Sequence, residues 1–136
     1  MLRRDYITEA AQELGRALGL WLNKAVLEGD DGSIEGIEGS VAKLLDLDAA
    51  TALALDPDSL VTMMGLSGVA DSVAGYASYA LLRLGDAYDA AGKPALARIR
   101  RDQARAVASA FGWELGQVPE EYQELERALA AERGEE

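Results

Sequence analysis

The sequence predicts an all-α protein, a compact antiparallel bundle of five to seven helices in a single domain. Three observations carry that expectation. Ala, Leu, Glu and Arg, all good helix formers, dominate the chain, while aromatic residues make up only 6% and three prolines occur. Apolar residues recur at spacings of three and four, and no stretch sustains the period-two alternation of a half-buried strand. The 136 residues are 49% hydrophobic and 27% charged, which is globular and long enough to bury a core without disulfides or metal. No linker or low-complexity run divides residues 1–136, and the acidic end, about 132–136, reads as frayed.

The first helix is expected from about Arg4 to Glu28, closed by Gly29. Ile7, Ala11, Leu14, Leu18, Trp21 and Ala25 are spaced 4, 3, 4, 3 and 4 and fall on one narrow stripe. Asp5, Glu9, Gln12, Arg16 and Asn23 lie opposite. Such a stripe suits a nearly parallel helix, in the same chain or in a second copy, so Ile7, Leu14, Leu18 and Trp21 form a candidate dimer seam. Leu20 and Leu27 point to the polar side and hint at a second contact.

After the turn Gly29–Ser33, Asp31 or Ser33 can cap a second helix, roughly Ile34 to Leu45. A short helix is expected around Asp48 to Leu55. Pro57 then forces a restart, with Asp58 or Ser59 as cap and a helix from Leu60 to Leu66. A longer helix follows from about Val69 to Ala91, on which Val73, Ala77, Ala80, Leu84, Ala87 and Ala91 make an Ala-rich stripe. Asp71, Gly75, Ser78, Asp86 and Asp89 lie opposite, as an acidic solvated face. Gly92 closes this helix, and Pro94 starts the next, which runs to about Phe111. Gly112, Gly116 and Pro119 mark a break, and a charged helix from Glu120 to about Arg133 ends the pattern.

Thirteen Lys and Arg against 24 Asp and Glu give a net charge of −11. An acidic chain is repelled by phosphate backbones and anionic lipid heads, so neither nucleic acid nor membrane is expected as a partner. The absence of Cys and His removes thiolate chemistry, zinc and iron–sulfur sites and every imidazole base. No run approaches the ~20 apolar residues of a membrane span, and the charged start is unlike a signal peptide. The expectation is a cytoplasmic protein without cofactors.

The residues Leu81 to Ala104, LLRLGDAYDAAGKPALARIRRDQA, resemble a tetratricopeptide repeat. Leu84, Gly85 and Tyr88 stand where that family places Leu-Gly and the following Tyr, Gly92 at its turn, and Ala97 and Ala104 at its helix crossing. Leu81 replaces the usual Trp, Arg101 an aromatic, and the closing Pro is missing. A stable array needs about three repeats, so the resemblance implies one such hairpin inside a bundle. The opening RRDYI, followed by an amphipathic helix, is also similar to a family of small uncharacterised bacterial proteins. That likeness implies no activity.

Several short motifs resemble chemical signatures in part. Ser40 and Lys43 match S-x-x-K, but the companion elements of that hydrolase class are absent. Residues 29–38 partly match a calcium loop, yet the first and third ligand positions fall on Leu27 and Gly29, which lack side-chain oxygens. Gly92-Lys93 lacks both the first Gly and the hydroxyl residue of a phosphate loop. Arg98, Arg101 and Arg105 share one stripe, a basic patch suited to an acidic peptide or to pairing with Asp102. Arg100 lies on the apolar face with Leu96, Ala104, Val107 and Phe111, so it needs a buried carboxylate or lines a groove. Trp113, in the FGWELG break, is a candidate surface anchor.

The leading expectation is a small non-catalytic interaction or adaptor module. It would bind an unidentified protein or acidic peptide in a groove beside the Leu81–Ala110 hairpin, through Arg98, Arg100, Arg101, Arg105 and Trp113. The alternative is a self-associating structural protein, a homodimer through the first-helix seam. An enzyme using carboxylates and a bound divalent metal is the third reading.

Overall fold

The computed structural model describes residues 2–134, with side chains from Tyr6 to Glu132. The side chains of the RRDYI opening up to Asp5, and the final Glu135 and Glu136 of the acidic end, lie outside the described residues. Seven α-helices follow in order: α1 (Leu2–Glu28), α2 (Asp31–Lys43), α3 (Ala49–Ala52), α4 (Pro57–Leu66), α5 (Asp71–Ala90), α6 (Pro94–Ala110) and α7 (Gln123–Arg133). A 3₁₀ turn at Glu120–Tyr122 runs into α7, and no strand occurs among the described residues. The fold is all-helical.

Three helix starts share one device. Asp30, Asp48 and Asp56 cap α2, α3 and α4, each accepting the backbone N–H of the residue three positions on. The hydroxyls of Ser33, Thr51 and Ser59 donate to the same carboxylates at 2.7 Å. These bonds hold all three carboxyl groups below the usual carboxylate range, the side-chain hydroxyls contributing most. The caps therefore sit earlier than Asp31, Ser33, Asp58 or Ser59. The reason is local: three residues after Asp31 and Asp58 stand Ile34 and Val61, which carry no hydroxyl. Pro57 then occupies the first turn of α4, where its missing N–H costs nothing. α3 ends at Ala52, short of Leu55, because the chain must turn to reach this next cap.

α5 is the central element, packed against α6, α1 and α2, while α4 lies on α6 and α7 on α1. The α1 stripe is wider than one seam. Ile7, Ala10, Leu14, Ala17, Leu18, Leu22, Ala25 and Val26 are buried, and Ala11 and Trp21 sit at the margin. Two neighbours, α2 and α5, cover the face, and each fully buried Leu removed from water contributes about 1.5–3 kcal/mol. This corrects the dimer seam. Leu14 and Leu18 are 0% exposed and Ile7 is buried within the single chain, so they offer no surface to a second copy. Trp21 lies over Gly36 on α2, where a Cβ would come within 2.5 Å of its ring.

α5 also departs from its expected polarity. Ser78 is buried and its hydroxyl donates to the Ala104 carbonyl at 3.1 Å. Gly75 is covered by the Trp113 ring, and Asp86 and Asp89 receive Arg101 from α6. The face expected to be solvated is the α6 interface, since a helix surrounded by partners has almost no free side. At the far end, Gly29 (φ +66°) lets the α1–α2 turn pass against the backbone of Ala91, which any Cβ there would strike.

Candidate functional site

Two regions beside α5 are candidates, and they differ in how their polar groups are used. The first surrounds Arg100, which α6 delivers to the interior because its neighbours on that face are apolar. Arg100 is 7% exposed. Its Nη2 lies 3.0 Å from Glu38 Oε2 on α2, and its Nε donates to the same oxygen at 3.1 Å. Nη1 donates to the Leu53 carbonyl and to Gln103 Oε1, both at 3.1 Å. Three of the five guanidinium N–H donors thus have hydrogen-bond acceptors, and Nη2 adds an ion-pair contact to Glu38.

Gln103, 0% exposed, extends the network by donating to the carbonyls of Leu53 and Leu55. Those carbonyls follow α3, where no helix can use them. Tyr88 completes it, donating its hydroxyl to Glu38 at 2.6 Å, with Arg100 5.7 Å from its ring centre. Burial, then the Glu38 hydrogen bond and charge, push the Tyr88 phenol up to about 12. A groove of about 450 Å³ does lie alongside, between Ala49, Ala50 and Ala54 on one side and Leu96 and Ile99 on the other. Arg100 and Glu38 line it with their charges already matched.

The remaining arginines do not converge there. Arg101 lays its stem over Gly85 and pairs with Asp86 at 2.9 Å and Asp89 at 2.6 Å. Arg105 pairs with Asp102 at 3.1 Å. Arg98 is exposed and, of the arginines on α6, is the one that pairs with no carboxylate among the described residues. Trp113 is not a free anchor either, because its indole N–H donates to the Asp71 carbonyl at 2.8 Å and its ring fills the space left by Gly75. The S-x-x-K and calcium-loop segments are equally committed: Lys43 pairs with Glu13 at 2.6 Å, and Asp30 caps α2. No group of three or more acidic residues able to hold a metal ion occurs among the described residues.

The second region is a trough of about 630 Å³ where α1, α5 and α7 meet. Its floor is Ala11 and Gly15 of α1, Val73 and Tyr76 of α5, Tyr122, and Leu125 of α7. Thr8, Gln12, Ser72, Glu121 and Glu124 form its polar edge. Tyr122 is wedged between Tyr76 and Tyr79, with ring centres 5.1 and 5.2 Å apart. The Tyr76 hydroxyl donates to Glu121 at 2.7 Å; burial first, then this acid, push its phenol up to about 12. Glu121 is held below its ordinary value by the same bond. The Tyr122 hydroxyl is buried without a partner among the described residues.

The trough exists because α7 is clasped at its edges. Glu126 takes Arg83 in a two-pronged contact of 2.5–2.9 Å and accepts the Tyr79 hydroxyl at 2.6 Å, while Asp86 holds the other side of Arg83. Burial alone would lower the Arg83 pKa, but Glu126 and Asp86 outweigh it and raise it. Asn23 of α1 donates to Glu132 farther along. Sequence reasoning missed this set. The available signal was the run Tyr76, Tyr79, Arg83, spaced three and four on one side of α5. Nothing in the sequence connected it to the distant EEYQELE segment. No family model matches the chain, and no curated protein or solved structure matches it.

Proposed function

We propose that the chain is a small non-catalytic protein–protein interaction module, and that it holds its partner in the trough between α1, α5 and α7. One observation carries the reading: this concavity combines an apolar and aromatic floor with an edge bearing two carboxylates and no Lys or Arg among its lining residues. Its volume falls in the range of pockets that take several side chains or a small ligand. The complementary partner is a basic amphipathic segment, with apolar residues on the Val73, Tyr76 and Leu125 floor and cations at Glu121 and Glu124. This replaces an acidic peptide as the favoured partner, because the arginines that suggested one are matched internally except Arg98.

A photo-crosslinking residue at Ser72, exposed at the trough edge, tests the reading in cells of the native host. The expected result is a discrete adduct to one basic partner, lost when Gln12→Trp fills the trough. A crosslinker at Asp58, on α4, serves as control. Absence of an adduct at Ser72, or the same adducts from Asp58, overturns it.

A further inference from the structure

The outer face of α1 carries a second, independent surface. Leu20 is 72% exposed, beside the half-buried Trp21. Both border a groove of about 440 Å³ between α1 and α2. Its floor is glycine: Gly36 beneath the Trp21 ring, and Gly39, where a Cβ would meet nothing within 4 Å. An exposed leucine thus stands next to open space over Gly39.

The charges around this slot are balanced, unlike those of the whole chain. Glu13 and Lys43 neutralise one another across the groove at 2.6 Å. The other two charges are Arg16, which also lies within electrostatic reach of Glu13, and Glu35; both are exposed and make no hydrogen bond or ion pair among the described residues. On a protein of net charge −11, most faces repel their own copy; this one does not. A two-fold axis through the groove brings knob to slot twice and opposite charges together twice, as an isologous interface requires.

We infer that two copies of this chain associate through the α1–α2 groove, each Leu20 entering the other copy's slot beside Trp21 and over Gly39, with Arg16 of one copy meeting Glu35 of the other. The dimer uses the outer side of α1, not the Ile7, Leu14 and Leu18 stripe that faces inward. It leaves the trough free, so the two surfaces stand or fall separately.

Sedimentation velocity on the full chain, up to about 200 μM, tests the interface. The expected result is a reversible dimer. Leu20→Asp should weaken it by ~100-fold or more without changing the helical circular dichroism or the melting temperature, since Leu20 contributes little to the core. Arg16→Glu and Glu35→Arg should each weaken it by roughly 10-fold, and the two together should restore it to within about 3-fold. A wild-type monomer throughout, a dimer indifferent to Leu20→Asp, or a charge swap that fails to recover association overturns the inference. A Ser72 adduct that persists in the Leu20→Asp monomer keeps the trough reading apart from this one.

Discussion

The two concavities, about 450 Å³ beside α3 and α6 and about 630 Å³ between α1, α5 and α7, are opposite in chemistry. On the α3–α6 side, Arg100, Glu38, Gln103 and Tyr88 match one another and cap the carbonyls of Leu53 and Leu55. On the α1–α7 side, Tyr76 and Glu121 form a single pair at the edge of an open apolar floor, and Tyr122 buries a hydroxyl with no partner among the described residues. A charge on an apolar helix face is therefore poor evidence for binding. Desolvation forces it to find internal partners, and once found they leave few donors for a ligand. Open apolar surface is found instead in the trough between α1, α5 and α7, which no side chain fills.

The sharpest way to break this contrast is Arg100→Ala. It strands the Glu38 carboxylate, whose side chain is 12% exposed, and removes one donor to the Leu53 carbonyl. The expected cost is about 3–5 kcal/mol, seen as a melting temperature lower by roughly 10 °C or more. Adding Glu38→Leu should recover much of it. A loss below about 1 kcal/mol, by chemical denaturation, would mean that the network is solvated and Arg100 available to a ligand.

Alkaline pH probes both sides at once. The Tyr88 and Tyr76 phenols are raised to about 12 from an ordinary 10.0. A folded-state pKa above the unfolded one supplies stability that is complete below the unfolded value, near pH 10, and lost as pH rises through the folded one. The chain should keep its helicity near pH 10 and unfold toward pH 12, with phenolate absorbance and loss of circular dichroism moving together. Phenolate appearing near pH 10 with helicity intact would show that neither pair is sheltered.

Glu126→Ala should loosen the clasp on α7. It deprives Arg83 of one of two carboxylates and Tyr79 of its acceptor, at about 1–3 kcal/mol. Amide exchange should accelerate in α7 first and leave α5–α6 protected. Uniform acceleration would mean α7 is part of the cooperative core.

Tyr122→Phe is expected to be neutral or to stabilise by up to about 1 kcal/mol, because it removes a buried hydroxyl that makes no bond among the described residues. Destabilisation beyond about 1 kcal/mol would reveal a partner for that oxygen. The smallest effect belongs to Ser72→Ala at the open edge, within about 0.5 kcal/mol. Denaturant titration separates these cases, and a large loss at Ser72 would show that the trough is part of the folding core.

Much of the architecture was legible without coordinates. Gly29, Pro57, Gly92, Pro94 and the FGWELG break punctuate the chain near the observed helix limits, because Gly and Pro act through their own backbone geometry. The need of Arg100 for a buried partner was legible too, though not that Glu38, 62 residues away, supplies its carboxylate. The trough was not legible: its lining comes from residues 8–15, 72–76 and 121–125, and no periodicity links segments so far apart. Trp113 shows the same gap, since its place on Gly75 depends on where the loop after α6 returns.

By itself the sequence determined the helical class, the punctuation between helices and the apolar stripe of α1, all properties of neighbours within one or two turns. The tertiary structure decided how many partners each helix has. That is why α1 buries a broader face than its seam, why the acidic face of α5 became the α6 interface, and why Leu20 is left 72% exposed on the outer side of α1. Side-chain burial depends on what arrives from elsewhere in the chain, and local spacing carries no record of it.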